Sequence, residues 1–462
     1  PASEPASVPA NSAASPARTM PVDTASNSEC VELLRDSNGW RRQLGQRLLV
    51  ERQAVETAAD LRALLKSSPS PRTRQHALWT LDGISELTAN DVTSALGDHD
   101  LYVRHDAVQL AASMIRSNPE LLAGLDSLVN DDDVSVRLEV AVALGETDAD
   151  RATDLLTKLA IQNSSDEWMA TAILTSSSGR AGAILIGLLN DNSFAAASGA
   201  GQVRLVNSLA TVVGTRGDLA EVTQVLKVVV STEDTGVWWQ TATLSGLAVG
   251  LPRNRGSIGQ KSLAALVADP ESRLSDVILK TRDLLNAAHG VALDQSRSVD
   301  DRLAAVELLS FQSFSSAAPA YELLLATDQP VEIQLASINA MNRNGTAAAA
   351  KLLLERWSSL GPTVRGPALE FLFRRTDSTI AALEAMASGA IPASAVDVDR
   401  RVRLLKTSNA KILTLATTVF GGAVSANRRE VAEQYRSALT LKSSAAAGVK
   451  VFERICIKCH KL

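Results

Sequence analysis

Three stretches of this chain align on a single arginine. They are SPRTRQHALWTLDG (Ser70–Gly83), DLYVRHDAVQLAAS (Asp100–Ser113) and DVSVRLEVAVALGE (Asp133–Glu146), and they place Arg74, Arg104 and Arg137 at equivalent positions, 30 and then 33 residues apart. Each opens on an Asp- or Pro-type turn, carries the Arg near a helix start, and continues with Ala and Leu at helical spacing. Each is preceded by another short apolar-periodic stretch, such as Asp91–Leu96 or Leu121–Val129. One such helix pair cannot bury its apolar face alone. Stacked copies bury a continuous core, so the repeat points to an α-solenoid.

The alternation continues along the chain. Helices are predicted over Val31–Gln53 (interrupted at Ser37-Asn38-Gly39), Thr57–Lys66, Ala149–Ile161, Asp166–Leu174, Gly182–Leu189, Val203–Val213, Leu219–Val230 and Val237–Val249. Leu251–Gly256 reads as a loop, and eleven further helices are predicted from Lys261–Ala268 to a closing one at Asn427–Leu439. No strand or hairpin pattern is present. At 462 residues the chain would make about three ordinary domains, but a repeat array voids that count. The pattern resembles HEAT repeats. That resemblance implies that the turn Asp and the helix Arg bond to neighbouring repeats, so Asp98, Arg104, Asp131 and Arg137 are expected to form a structural ladder. The expected fold is all-α: a HEAT-like α-solenoid of the ARM-type superhelix class over residues 29–440, followed by the first helix of a truncated cytochrome c domain at 441–462.

The two ends differ from the array. Residues 1–28 are Pro, Ala and Ser with few large apolar side chains and read as a linker. At the other end, GVKVFERICIKCHKL holds Cys456, Cys459 and His460 in a C-x-x-C-H string, the spacing of c-type haem attachment. Two thiols one helical turn apart reach the two vinyl groups of one porphyrin, and the following imidazole becomes the proximal iron ligand. A zinc site would need two more ligands, and no other Cys-rich or paired-His stretch exists. A thioredoxin-like redox pair would need a βαβ context. Gly448, Phe452 and Cys456 are spaced four apart on one helical face, and here the residues resemble the first helix of cytochrome c. Leu462 lies two residues past His460, and the last Met is Met386. The cytochrome is therefore expected to be incomplete in this chain, either cut short or continued elsewhere.

Composition narrows the function classes. The net charge of −5 and the absence of Lys/Arg clusters argue against nucleic-acid binding. No apolar run approaches a membrane span. The opening PASEPASVPA has neither Met nor a charged n-region, so it is not read as a signal peptide, and the chain is expected to be a mature product or an internal fragment. Cys30 reads as a small buried hydrophobe. Of Trp238 and Trp239, one is expected to face a neighbouring repeat. His76, His99, His105 and His289 are scattered; His99 and His105 lie across a turn and are near enough to meet. No catalytic constellation or phosphate-binding loop is legible.

Three stretches together resemble one family: NGWRRQLGQRLLVERQ (Asn38–Gln53), RQHALWTLDGISELT (Arg74–Thr88) and ALTLKSSAAAGVKVFERICIKCH (Ala438–His460). They are similar to the HEAT-plus-cytochrome portion of the PVC-type haem-binding C-x-x-C-H proteins, often described as membrane-bound dehydrogenases. The resemblance implies covalent haem c on Cys456 and Cys459 with His460 on the iron. It also implies a periplasmic or secreted location, and electron transfer within a sugar- or alcohol-dehydrogenase-like system. The partner would be a dehydrogenase domain or redox carrier. In that family a β-propeller precedes the HEAT array, and residues 1–28 stand where it would join. The competing expectation is a protein-interaction scaffold whose haem motif is vestigial.

Overall fold

Turn chemistry starts most of the helices. Ser26 accepts from the Glu29 N–H while the Glu29 carboxylate accepts from the Ser26 N–H, a reciprocal cap that begins the first helix at Asn27, inside the stretch read as linker. Asn38, Ser70, Asp100 and Asp133 each accept a first-turn N–H in the same way. The computed structural model describes residues 25–231, 238–254, 256–268, 275–344, 347–421, 433, 435–440, 442 and 444–456. Among these every regular element is helical, and no helix is long and apolar enough to cross a membrane.

The helices are α1 (Asn27–Leu33), α2 (Gly39–Glu51), α3 (Ala58–Ser67), α4 (Pro71–Gly83), α5 (Ala89–Leu96), α6 (Leu101–Met114), α7 (Leu121–Leu128), α8 (Val134–Ala143), α9 (Asp150–Gln162), α10 (Glu167–Ser176), α11 (Ala181–Asn190), α12 (Asn192–Ala196), α13 (Ala200–Arg216), α14 (Leu219–Val229) and α15 (Trp238–Gly250). There follow α16 (Leu263–Ala268), α17 (Ser275–Leu293), α18 (Val299–Leu309), α19 (Phe314–Leu324), α20 (Val331–Asn344), α21 (Ala347–Glu355), α22 (Pro362–Leu372), α23 (Thr376–Ala387), α24 (Val398–Leu404), α25 (Ala410–Phe420) and α26 (Ala445–Val451). Of the closing helix expected over Asn427–Leu439, residues 427–432 and 434 lie outside the described residues, and Arg436–Thr440 is a 3-10 turn.

The chain divides into two compact units. One holds the described residues up to Val229 together with Ser245–Gln260; the other holds Val230–Leu244 and the described residues from Lys261 onward. Within the first, α2, α4, α6, α8, α10 and α13 pack in sequence as one row, and α3, α5 and α7 pack as a second row behind them. Within the second, α18, α20 and α22 form one row and α17, α19, α21, α23 and α25 the other. The fold is an all-α solenoid of stacked helix pairs.

The core lies between the rows. Ala77, Leu78 and Leu81 of α4, and Val103, Ala107, Val108 and Ala111 of α6, are buried on one side, as are Leu61, Leu64 and Leu65 of α3, and Val92, Ala95 and Leu96 of α5, on the other. Each buried Leu or Val contributes about 1.5–3 kcal/mol, and the interspersed Ala lets neighbouring axes come close. Helices also approach closely where glycine faces backbone. A Cβ at Gly246 would lie 2.2 Å from the Asn207 carbonyl oxygen of α13, and one at Gly250 2.4 Å from that of Thr211.

The arginine repeat binds one helix pair to the next. Arg74 donates Nε and Nη2 to the two carboxylate oxygens of Asp98, at 2.7 Å each; Arg104 does the same to Asp131 at 2.7 and 2.9 Å. The remaining nitrogen, Nη1, turns back to a carbonyl of its own turn: Ser68 for Arg74, Asp98 for Arg104 and Asp131 for Arg137. Asp98 and Asp131 also accept the N–H of Asp100 and Asp133, the two capping residues. One Arg thus ties its own turn, the next turn and the next helix cap together.

The rung weakens at both ends of this run. Arg137 Nη2 meets Asn163 Oδ1 at 3.2 Å, a neutral acceptor. Arg42 bonds the carbonyls of Asp36 and Ser37, but its buried Nε has no partner, because Ser68 stands where the next two turns carry Asp. In the second unit an amide replaces the carboxylate: Arg302 donates to the Ala292 carbonyl and to Gln329 Oε1.

Burial alone would raise the Asp98 carboxyl, but the Arg74 hydrogen bond, the Asp100 amide and the Arg74 and His99 charges outweigh it and hold the group below its ordinary value. Asp131 is held down in the same way by Arg104 and the Asp133 amide, against burial. Depressed carboxyls contribute stability in full above their unfolded values and lose it as pH falls through the folded ones. Chemical denaturation should therefore show an acid-side loss below the ordinary carboxylate range that is reduced in Asp98→Asn and Asp131→Asn. At neutral pH Asp98→Ala, which strands the 3 %-exposed Arg74, should lose about 3–5 kcal/mol. Ser68→Asp, which supplies Arg42 with its missing acceptor, should gain about 1 kcal/mol by the same measurement.

Candidate functional site

Helix-capping residues of this row also hold large side chains outward. Trp40, Tyr102 and Trp168 each stand two residues after a cap. Their N–H groups donate to Asn38 Oδ1 at 2.9 Å, Asp100 Oδ1 at 3.0 Å and Asp166 Oδ1 at 2.8 Å. A residue fixed there, at the second position of a helix, points away from the row behind. The three aromatic side chains are 82 %, 63 % and 76 % exposed. The intervening helices carry exposed Arg72 at this position in α4 and, in α8, half-buried Ser135 beside exposed Val134. An aromatic thus stands at the same register position of every second helix of this row, in α2, α6 and α10.

Behind that edge, polar pairs join adjacent helices of the row. His76 Nδ1 lies 2.6 Å from Gln46 Oε1, Gln75 Nε2 donates to Asp106 Oδ2 at 2.7 Å, and His105 Nε2 lies 3.7 Å from Glu139. His76 is held below its ordinary value by burial first and by the Arg42 charge second. Such pairs restrict the rotamers of the face, lowering the entropy that binding must overcome.

Other candidates from the sequence fall as follows. His99 is exposed beside Asp98, and His105 faces Glu139, so the turn does not bring the two together. His289 bonds Gln312 at 3.0 Å. Trp239 is buried and Trp238 half-buried. Cys30 is fully buried; burial pushes its thiol up, partly offset by Arg52. Cys459 and His460 lie outside the described residues, and of Cys456 only the backbone is described. The helical spacing behind the motif changes before Cys456: α26 ends at Val451 and Phe452–Cys456 forms a wider π turn. No group of three or more His, Cys, Asp or Glu suited to a metal occurs among the described residues.

The HEAT-repeat family model matches residues 89–176, the segment from α5 to α10. These residues are HEAT repeats. The HEAT segment contains two of the three exposed aromatics and the Arg104–Asp131 rung. No curated protein matches the chain. Among solved structures it is similar to a chain from a study of the cadherin–beta-catenin interaction, at 14% identity, covering 85% of this chain and 99% of that one with a TM-score of 0.28. It is also similar to a chain from the Kap95p–RanGDP complex, at 12% identity, 89% and 63% coverage and a TM-score of 0.31. A third is a chain of the AP-3 complex, at 13% identity, 79% and 73% coverage and a TM-score of 0.29. The fold stands on the helix pairing and the HEAT match, not on these likenesses.

The aromatic row was missed in the sequence because aromatics at helix starts read as ordinary core anchors. The signal was present in N-G-W, D-L-Y and D-E-W, a cap followed two residues later by a ring. Replacing Trp40, Tyr102 and Trp168 with Ala together should leave stability within about 0.5 kcal/mol per site, as for exposed positions, measured by urea denaturation.

Proposed function

We propose that this chain is a protein-interaction scaffold that takes its partner along the exposed edge of α2, α6 and α10. The observation that carries the reading is the recurrence of Trp40, Tyr102 and Trp168 at one register position of a helix row, the latter two within the HEAT segment. Trp and Tyr dominate binding hot spots, since a rigid ring buries a large area for few frozen torsions. An extended row of helix ends also suits a long partner segment better than a compact ligand.

A second reading, favoured by the C-x-x-C-H string, is electron transfer. In it Cys456 and Cys459 hold haem c by thioether bonds and His460 ligates the iron, with the solenoid presenting the haem to a dehydrogenase or redox carrier. Two thiols and an imidazole fit the group in kind. Covalent haem attachment of this type would set the protein in the periplasm or outside the cell.

Two measurements separate these readings. Affinity capture with quantitative mass spectrometry should recover one stoichiometric partner on the wild type and lose it on the triple alanine variant; retention of the same partner would contradict the scaffold face. Expression with a cytochrome c maturation system should give a haem-staining band on a denaturing gel that disappears in Cys456→Ala/Cys459→Ala. A colourless protein with both thiols free would leave only the scaffold.

A further inference from the structure

The second unit contains an open cleft of about 370 Å³ at the ends of α22, α23, α24 and α25. Four arginines line it, Arg374, Arg375, Arg400 and Arg403, with the hydroxyls of Thr376, Thr379 and Thr407 among them, and no carboxylate lines it. This concentration of positive charge is unexpected in a chain of net charge −5.

The four arginines are in different states. Arg400 is held in place: it pairs with Glu370 of α22, lies 3.9 Å from Asp397, and stacks its guanidinium 5.2 Å from the Phe373 ring centroid. Arg374 and Arg403 are exposed and make no ion pair among the described residues. Arg375 occupies the capping position of α23, so that helix starts without a side-chain acceptor.

We propose that this cleft binds a multiply charged phosphoryl oxyanion. Guanidinium forks and hydroxyls are the donors that match phosphate oxygens, and several positive charges around one cleft favour a phosphoryl group over a single carboxylate. The same chemistry is carried by a phosphorylated side chain of a partner and by a small phosphate ester. The site is independent of the aromatic edge, which belongs to the first unit.

The test is isothermal titration of the full chain at low ionic strength with inorganic pyrophosphate, a short phosphoserine peptide and its unphosphorylated twin. The comparison is Arg374→Gln/Arg403→Gln, whose exposed sites leave the fold intact, checked by circular dichroism. Pyrophosphate should bind saturably, and the double variant should weaken it by about tenfold or more, as expected from losing two charge-assisted contacts. Binding of the phosphopeptide but not its twin assigns the site to a phosphorylated partner. Binding of pyrophosphate with neither peptide assigns it to a small phosphate ester. The proposal is overturned if wild type binds no phosphoryl probe at millimolar concentration, or if the double variant binds as wild type does.

Discussion

A guanidinium that grips two turns at once organises the first unit of this protein. Arg74 and Arg104 each use one nitrogen on their own turn and two on the carboxylate of the next, and that carboxylate also holds the amide of a capping residue. Hydrophobic contacts between Ala-, Leu- and Val-rich helices supply most of the favourable energy, but they slide easily along a row. A bidentate Arg–Asp pair at 2.7 Å does not. The two bidentate rungs therefore set the register of their repeats against the next, and the cap that follows sets where the next helix begins.

Much of this was legible in the sequence. The Arg repeat and the period of about thirty residues define the helix pairs, and the resemblance to HEAT repeats implied the ladder. The helix starts were less legible. α13 begins at Ala200, three residues before the expected Val203, with Gly199 at the cap. Apolar periodicity marks the buried middle of a helix and says little about the first polar turn. The rung at Arg42 was invisible because Ser68 breaks the Asp pattern while the backbone turn persists.

Both candidate surfaces arise at helix ends, where periodicity is silent. Asn38, Asp100 and Asp166 satisfy first-turn amides and, in doing so, hold Trp40, Tyr102 and Trp168 outward. In the second unit the opposite choice at Arg375 leaves an uncapped start among three further arginines. The haem motif is a different case: its signal is compositional and strong, yet Cys459 and His460 lie outside the described residues, so it stands on the C-x-x-C-H string alone.

The most direct test of the rung as the register-setting element is hydrogen–deuterium exchange on Arg104→Met. Met retains the packing of the side-chain stem while removing the three donors. The account predicts faster exchange at both turns, residues 98–104 and 131–137, with α13 and α14 unchanged. Unaltered exchange at the 131–137 turn, or a uniform rise over the whole chain, would contradict it.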